Sequence, residues 1–116
     1  MANARISIRI WISYDLGIRG DYEGLYKWLD EHKAVETGNS CASFVMNFSS
    51  NDDDVVKKEL LESLNEVDTR NARIYVIRKS MFDGKVGTRG GFLIGGRKSN
   101  PWEGYAGRTS EDENEL

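Results

Sequence analysis

The most constraining feature of this sequence is a strict two-residue alternation from Arg5 to Tyr14. Isoleucine occupies positions 6, 8, 10 and 12, whereas polar residues and Trp11 occupy the positions between them. Successive side chains of a β-strand point to opposite faces of a sheet, so the pattern predicts a strand with one buried and one open face. Such a strand needs other elements to cover its isoleucine side.

Two segments have the apolar spacing of amphipathic helices that could provide this cover. The first runs from about Asp21 to Lys33, with Asp21 as its cap, and the second follows the hydroxyl and acidic residues at 49–54. Alternation at 42–48 and 73–79 predicts two further strands, and shorter ones are expected near 34–37 and 92–94. The face covered by the helices is predicted to contain Ile6, Ile8, Ile10, Ile12, Phe44, Met46, Ile74 and Val76.

This order of elements indicates an α+β fold, a ferredoxin-like βαββαβ sandwich in which an antiparallel sheet carries two helices on one face. With 116 residues, the chain is expected to form a single domain over 1–108, which includes a glycine-rich, basic C-terminal segment at 84–108. Residues 109–116 form an acidic tail that we expect to be disordered. The tail either solubilises the chain or covers its basic segment.

Composition excludes several classes of protein. One cysteine, Cys41, and one histidine, His32, cannot build a Cys/His zinc cluster. The N-terminal residues lack a signal pattern and no apolar run is long enough to span a bilayer, so we expect a cytoplasmic protein without membrane contact. The net charge of −3 does not indicate a nucleic-acid binder by itself, but basic residues are concentrated between Lys85 and Arg108.

The open face of the predicted sheet has the composition of a platform for single-stranded nucleic acid, on which aromatic rings stack on bases and arginines meet phosphates. The alternative is an apolar patch that is buried in a dimer. The glycine-rich segment either brings backbone amides close to phosphate or forms a flexible hairpin or interface arm. The predicted nucleic-acid-binding residues are Arg5, Arg9, Trp11, Arg73, Tyr75, Arg89, Arg97 and Lys98.

Three stretches resemble a known family. The opening Ile12-Ser13-Tyr14-Asp15-Leu16, followed by Asp21-Tyr22-Glu23-Gly24-Leu25-Tyr26, is similar to the start of small SinR-like proteins. The segments 43–49 and 72–77 resemble the later elements of that family, so that the similarity covers about residues 5 to 79. These proteins belong to the superfamily of CRISPR-adaptation nuclease-like ferredoxin folds. The glycine-rich segment differs from the usual short C-terminal strand of that family.

The resemblance implies a homodimer, nucleic-acid contact and a divalent metal, Mg²⁺, bound by an aspartate at the end of the first strand. Asp15 matches that position and is the candidate catalytic and metal-binding residue. The alternative is a turn carboxylate at the end of the strand that accepts hydrogen bonds from backbone amides before Gly17.

Three functions follow as hypotheses. The first is a nucleic-acid-associated protein, either non-catalytic or a weak metal-dependent nuclease in which two Asp15 residues share Mg²⁺. The second is a non-enzymatic adaptor or inhibitor that docks on a protein partner through its open sheet face or its glycine-rich arm. The third is a small-molecule sensor with a pocket at a dimer seam.

Overall fold

The computed structural model describes residues 5–82 and 84–107, so the acidic tail at 109–116 lies outside the described residues. Seven elements follow one another in the chain. They are β1 (Ile6–Asp15), α1 (Tyr22–Glu31), β2 (Val35–Gly38), β3 (Cys41–Phe48), α2 (Asp53–Ser63), β4 (Arg73–Phe82) and β5 (Lys85–Ile94).

The strands form one five-stranded sheet in the order β2-β3-β1-β4-β5, and every neighbouring pair is antiparallel. The predicted α+β class and the antiparallel sheet are therefore confirmed. The arrangement is compatible with the ferredoxin-like core expected from the sequence, although the number of strands and their order differ from that fold because β5 extends the sheet beyond β4.

The hydrophobic core lies between the helices and the isoleucine side of β1. Ile8, Ile10 and Ile12 are buried there, together with Phe44 of β3 and Ile74 of β4. Ile6 was predicted to join them but is 42% exposed, because it lies at the end of β1, where only β3 pairs with the strand. The alternation therefore gives the correct face for the strands predicted at 5–14, 42–48 and 73–79, and it overestimates how far the helices cover one end of β1.

The predicted helices are confirmed with slightly different ends. The carboxylate of Asp21 caps α1 by accepting a hydrogen bond from the Gly24 N–H at 2.9 Å. In the second helical region, Val56 and Leu60 of α2 are buried, as are Leu64 and Val67 just after the helix. The apolar stripe that predicted a helix after residue 54 therefore faces the sheet.

The glycine-rich segment differs most from its sequence-based description. A short strand was expected only at 92–94, but β5 has ten residues and pairs with β4 along its length, from Phe82 opposite Lys85 to Ile74 opposite Ile94. Gly84, with a φ of 75°, lies where the chain turns back between the two strands. Glycine is tolerated in β5 because an edge strand packs few side chains against neighbours.

Neither helix in the described residues has the length and apolarity needed to cross a membrane.

Candidate nucleic-acid interface

The face of the sheet opposite the helices is open and brings together aromatic side chains from three strands. Trp11 of β1 lies opposite Ile77 of β4, and Ser13 lies opposite Tyr75. Tyr75 in turn lies opposite Phe92 of β5. Because side chains alternate along each strand, Trp11, Tyr75 and Phe92 all project from this one surface, which we call the open face.

Tyr75 and Phe92 form an aromatic pair near one end of the β4–β5 ladder, next to its last pair, Ile74 and Ile94. Their ring centroids are 5.1 Å apart and the rings are nearly perpendicular, at 87°. The ring of Tyr75 also reaches across β5 over Gly90, where an added Cβ would lie only 2.6 Å from the tyrosine hydroxyl oxygen. The absence of a side chain at Gly90 therefore allows Tyr75 to lie along the sheet surface.

Arginines surround these rings. The guanidinium carbon of Arg97, just after β5, lies 5.7 Å from the centroid of Phe92, which is within the range of a cation–π contact. Arg9 of β1 donates a hydrogen bond to the Ser43 hydroxyl at 3.0 Å and is itself exposed. The open face thus combines aromatic surface with exposed cationic groups, as the sequence predicted for Arg9 and Tyr75.

Asp15 and Arg73 are cross-strand partners at the end of β1. The Oδ1 of Asp15 accepts a hydrogen bond from the Gly17 N–H at 3.0 Å, as the turn interpretation expects, and Oδ2 lies 3.8 Å from the Nη2 of Arg73. The Nε of Arg73 is buried and has no hydrogen-bond partner among the described residues. The pair therefore leaves unused hydrogen-bonding capacity at this end of the open face.

Three of the predicted basic residues lie elsewhere. Arg5 donates to the Asn47 carbonyl at 3.2 Å and approaches Glu59 of α2 at 3.7 Å, so it reaches around the end of the sheet. Lys98 is exposed in the segment after β5, which also carries the exposed aromatic residues Trp102 and Tyr105. Arg89 lies opposite Arg78, whose side chain points to the helix side of the sheet.

Arg89 belongs to a groove of about 190 Å³ between α2 and β5, on the helix side. Asp53, at the first turn of α2, accepts hydrogen bonds from both Arg78 and Arg89. Arg78 is buried and also donates to the Asn51 side-chain oxygen at 2.7 Å. These contacts attach the β4–β5 hairpin to α2. Because the Arg89 side chain lies on the helix side, the sheet separates it from the open face.

The Mg²⁺ predicted at Asp15 would need several oxygen ligands. Within residues 5–82 and 84–107, no group of three or more His, Cys, Asp or Glu side chains is placed to hold a metal ion. The Arg73 guanidinium beside Asp15 also competes with a cation for the same carboxylate. The described part of one chain thus does not gather three such side chains around Asp15, and a site made from two Asp15 residues of a dimer stays a prediction.

Sequence reasoning missed Phe92 and Gly90 as members of the open face. The apolar run at 92–94 was recognised as a strand, but its register against β4 could not be read from the sequence. A signal was present, since an aromatic residue next to a Gly-Gly pair on a basic segment fits a strand that approaches a neighbouring ring closely.

Tyr14 provides a test of the packing beneath this end of β1. Burial, and then a hydrogen bond with Tyr26, raise the pKa of Tyr14 to about 12. Because the folded pKa lies above the unfolded value of about 10, its contribution to stability is complete below pH 10 and is lost as the pH rises through 12. We expect Tyr14→Phe to leave the tyrosinate absorbance of the native protein unchanged at about pH 10. In urea-unfolded protein at the same pH, where a phenol with its ordinary pKa is about half ionised, the substitution should remove about half of one tyrosinate signal. A lower native signal for Tyr14→Phe at pH 10 would contradict the raised pKa.

The fold and this surface define an α+β protein with a five-stranded antiparallel sheet, one side of which is open, aromatic and basic. No protein-family model, curated protein or solved structure matches the chain.

Proposed function

We propose that this protein binds single-stranded nucleic acid on the open face of its sheet, which extends a ferredoxin-like core. The observation that supports the proposal most directly is the Tyr75–Phe92 pair, which lies on a sheet face beside exposed arginines. Each nucleobase has a flat π-face, so such rings stack on unpaired bases with little sequence preference. Bases within a duplex are already stacked on one another, and the surface therefore favours an unpaired strand.

The arginines of the open face supply the electrostatic part of the interaction. If Arg9 and Arg97 each meet one phosphate, log K should fall with log salt with a slope of about −1.4. Affinity would then drop roughly sevenfold between about 50 and 200 mM salt. Asp15 is the only acidic residue in β1 or the described part of β4, so a single carboxylate opposes the arginines on these two strands.

The experiment measures the fluorescence anisotropy of a labelled mixed-sequence oligonucleotide in single-stranded and duplex form. Tyr75→Ala is expected to weaken single-strand binding roughly tenfold, because one base–ring stack contributes about 1–3 kcal/mol. Arg9→Ala should weaken binding and flatten the salt dependence, whereas Lys57→Ala, which removes a positive charge from α2 on the other side of the sheet, should do neither. Absence of binding by the native protein, or unchanged binding by Tyr75→Ala, would refute the proposal.

Gly90→Ala tests the geometry of the open face while it leaves the aromatic rings of Tyr75 and Phe92 in place. The new methyl group would displace the end of the Tyr75 side chain, so single-strand affinity should fall about fivefold. Gly91→Ala is the matched control, since an added Cβ there meets no atom within 4 Å and the residue lies on the helix side. Circular dichroism verifies that both variants are folded, and equal binding by the two would contradict the role of the Tyr75 ring.

The predicted homodimer can be compared with this proposal in the same samples. β5 forms one edge of the sheet, and an exposed strand edge is a common place for a second chain to pair. A dimer joined at β5 would leave the open face available, whereas a dimer joined through the open face would compete with the oligonucleotide. Light scattering with and without the oligonucleotide distinguishes these arrangements. An adaptor that uses the open face for a protein partner would show no oligonucleotide binding at all.

A further inference from the structure

A recess of about 210 Å³ lies at the end of the open face where β1, β4 and β5 meet. Its walls combine aromatic rings with a hydroxyl, a carboxylate and a guanidinium. The lining residues are Ser13, Tyr14, Asp15, Arg73, Tyr75 and Phe92.

The polar groups of the recess are only partly used within the described chain. The buried Nε of Arg73 has no hydrogen-bond partner among the described residues, which is rare for a buried donor. The Arg73 side chain as a whole is 33% exposed, so its terminal guanidinium N–H groups are the ones that can meet a ligand. The Asp15 side chain is about half exposed, and its Oδ2 lies beyond hydrogen-bond distance of the Arg73 Nη2 at 3.8 Å. The recess therefore offers a donor and an acceptor side by side, next to an aromatic wall.

Among the nucleobases, guanine fits this pair best. Its Watson–Crick edge presents the O6 acceptor beside two adjacent donors, N1–H and N2–H₂, and an ionised carboxylate accepts two such hydrogen bonds. Adenine and cytosine each present a single exocyclic amine beside a ring nitrogen acceptor on that edge, which would face the Asp15 carboxylate with a lone pair. Uracil and thymine present one N–H between two carbonyl oxygens.

We propose that this recess is a guanine-selective subsite, in which Asp15 accepts hydrogen bonds from N1–H and N2–H₂ and Arg73 donates to O6. The inference rests on the proposed binding of single strands and names the base that one position of the strand prefers. Stacking on the Tyr75–Phe92 pair would hold the base in the recess. Asp15 then acts as a specificity-determining residue and needs no metal for this role.

The test measures the affinity of oligothymidine strands that carry one central guanine, adenine or hypoxanthine. The native protein should prefer the guanine strand to the adenine strand roughly tenfold, since a good bidentate contact contributes about 1–3 kcal/mol of discrimination. Hypoxanthine lacks the N2 amine and should bind with intermediate affinity. The three strands carry the same charge, so phosphate contacts cancel in the ratio.

Asp15→Asn should abolish the preference, measured as the ratio of guanine-strand to adenine-strand affinity within the variant, because an asparagine side chain cannot accept both N1–H and N2–H₂ as a carboxylate does. The asparagine carbonyl can still accept the Gly17 N–H. Asp30→Asn, an exposed substitution in α1 with the same change of charge, should keep the preference. Equal affinities for guanine and adenine strands, or a preference that survives Asp15→Asn, would overturn the subsite while Tyr75-dependent binding would still support the proposed function. Absence of binding to all strands would overturn both.

Discussion

Replacing Phe44 with alanine is expected to lower the free energy of unfolding by about 3–5 kcal/mol. Phe44 lies at the centre of β3, opposite Ile10, and is 1% exposed. Its ring makes an edge-on contact with Trp28 of α1, with centroids 5.1 Å apart, and lies 5.6 Å from the His32 ring. The substitution would leave a cavity between the sheet and α1 that these large rings cannot readily fill.

Urea denaturation followed by circular dichroism measures this change. Val45→Ala, at the next residue on the open side of β3, is the control, because Val45 is 45% exposed and its truncation should change stability by about 0.5 kcal/mol or less. A similar loss for the two variants would contradict the assignment of the two faces of β3. The slope of unfolding against urea should stay the same, since both variants expose nearly the same surface on unfolding.

Replacing Asp53 with alanine is expected to lower the free energy of unfolding by about 2–3 kcal/mol. The Asp53 carboxylate pairs with both Arg78 and Arg89, and the Arg78 side chain is only 6% exposed. Loss of the carboxylate would leave the buried Arg78 charge with Asn51 as its neutral partner. Removal of one partner from a fully buried pair costs about 3–5 kcal/mol, and the smaller value is expected here because Asp53 itself is 45% exposed.

Asp54→Ala is the matched control for this prediction. Asp54 is also an acidic residue in the first turn of α2 and is exposed, so its loss should cost about 0.3–1 kcal/mol through the helix dipole. Urea denaturation measures both variants. An equal loss of stability in Asp53→Ala and Asp54→Ala would contradict the role of the Arg78–Asp53–Arg89 contacts in attaching the β4–β5 hairpin to α2. Hydrogen exchange should also show faster opening of β5 in Asp53→Ala, because β5 is an edge strand attached at that point.

Side-chain periodicity predicted part of the candidate site, namely the residues that lie on regular strands. Alternation within β1 and β4 placed Arg9, Trp11, Arg73 and Tyr75 on one surface, since the face of a side chain depends only on its position along its own strand. The same reasoning could not assign Arg89, because a segment with glycine at 87, 90 and 91 has too few side chains to show a period. Pairing with β4 decided that Arg89 lies on the helix side and Phe92 on the open face.

The role of Arg78 also depended on contacts that are distant in the sequence. Arg78 lies at a position of β4 whose side chain points toward the helices, where the pattern predicts an apolar residue. The exception is accounted for by Asn51 and Asp53, which lie 25 to 27 residues earlier and reach the guanidinium at the start of α2. A buried charge is tolerated only where partners converge on it, and that convergence belongs to the folded chain.

The amino-acid sequence alone determined the strands near 5–14, 42–48 and 73–79, the two amphipathic helices and the inward or outward direction of their side chains, because these depend on local periodicity and capping. Tertiary structure decided the order of the strands, the length of β5, the attachment of the hairpin through Asp53 and the recess that joins Asp15 to Arg73 and Phe92. Register between strands is set by packing and backbone hydrogen bonds over long sequence separations, and no local pattern in a glycine-rich segment encodes it.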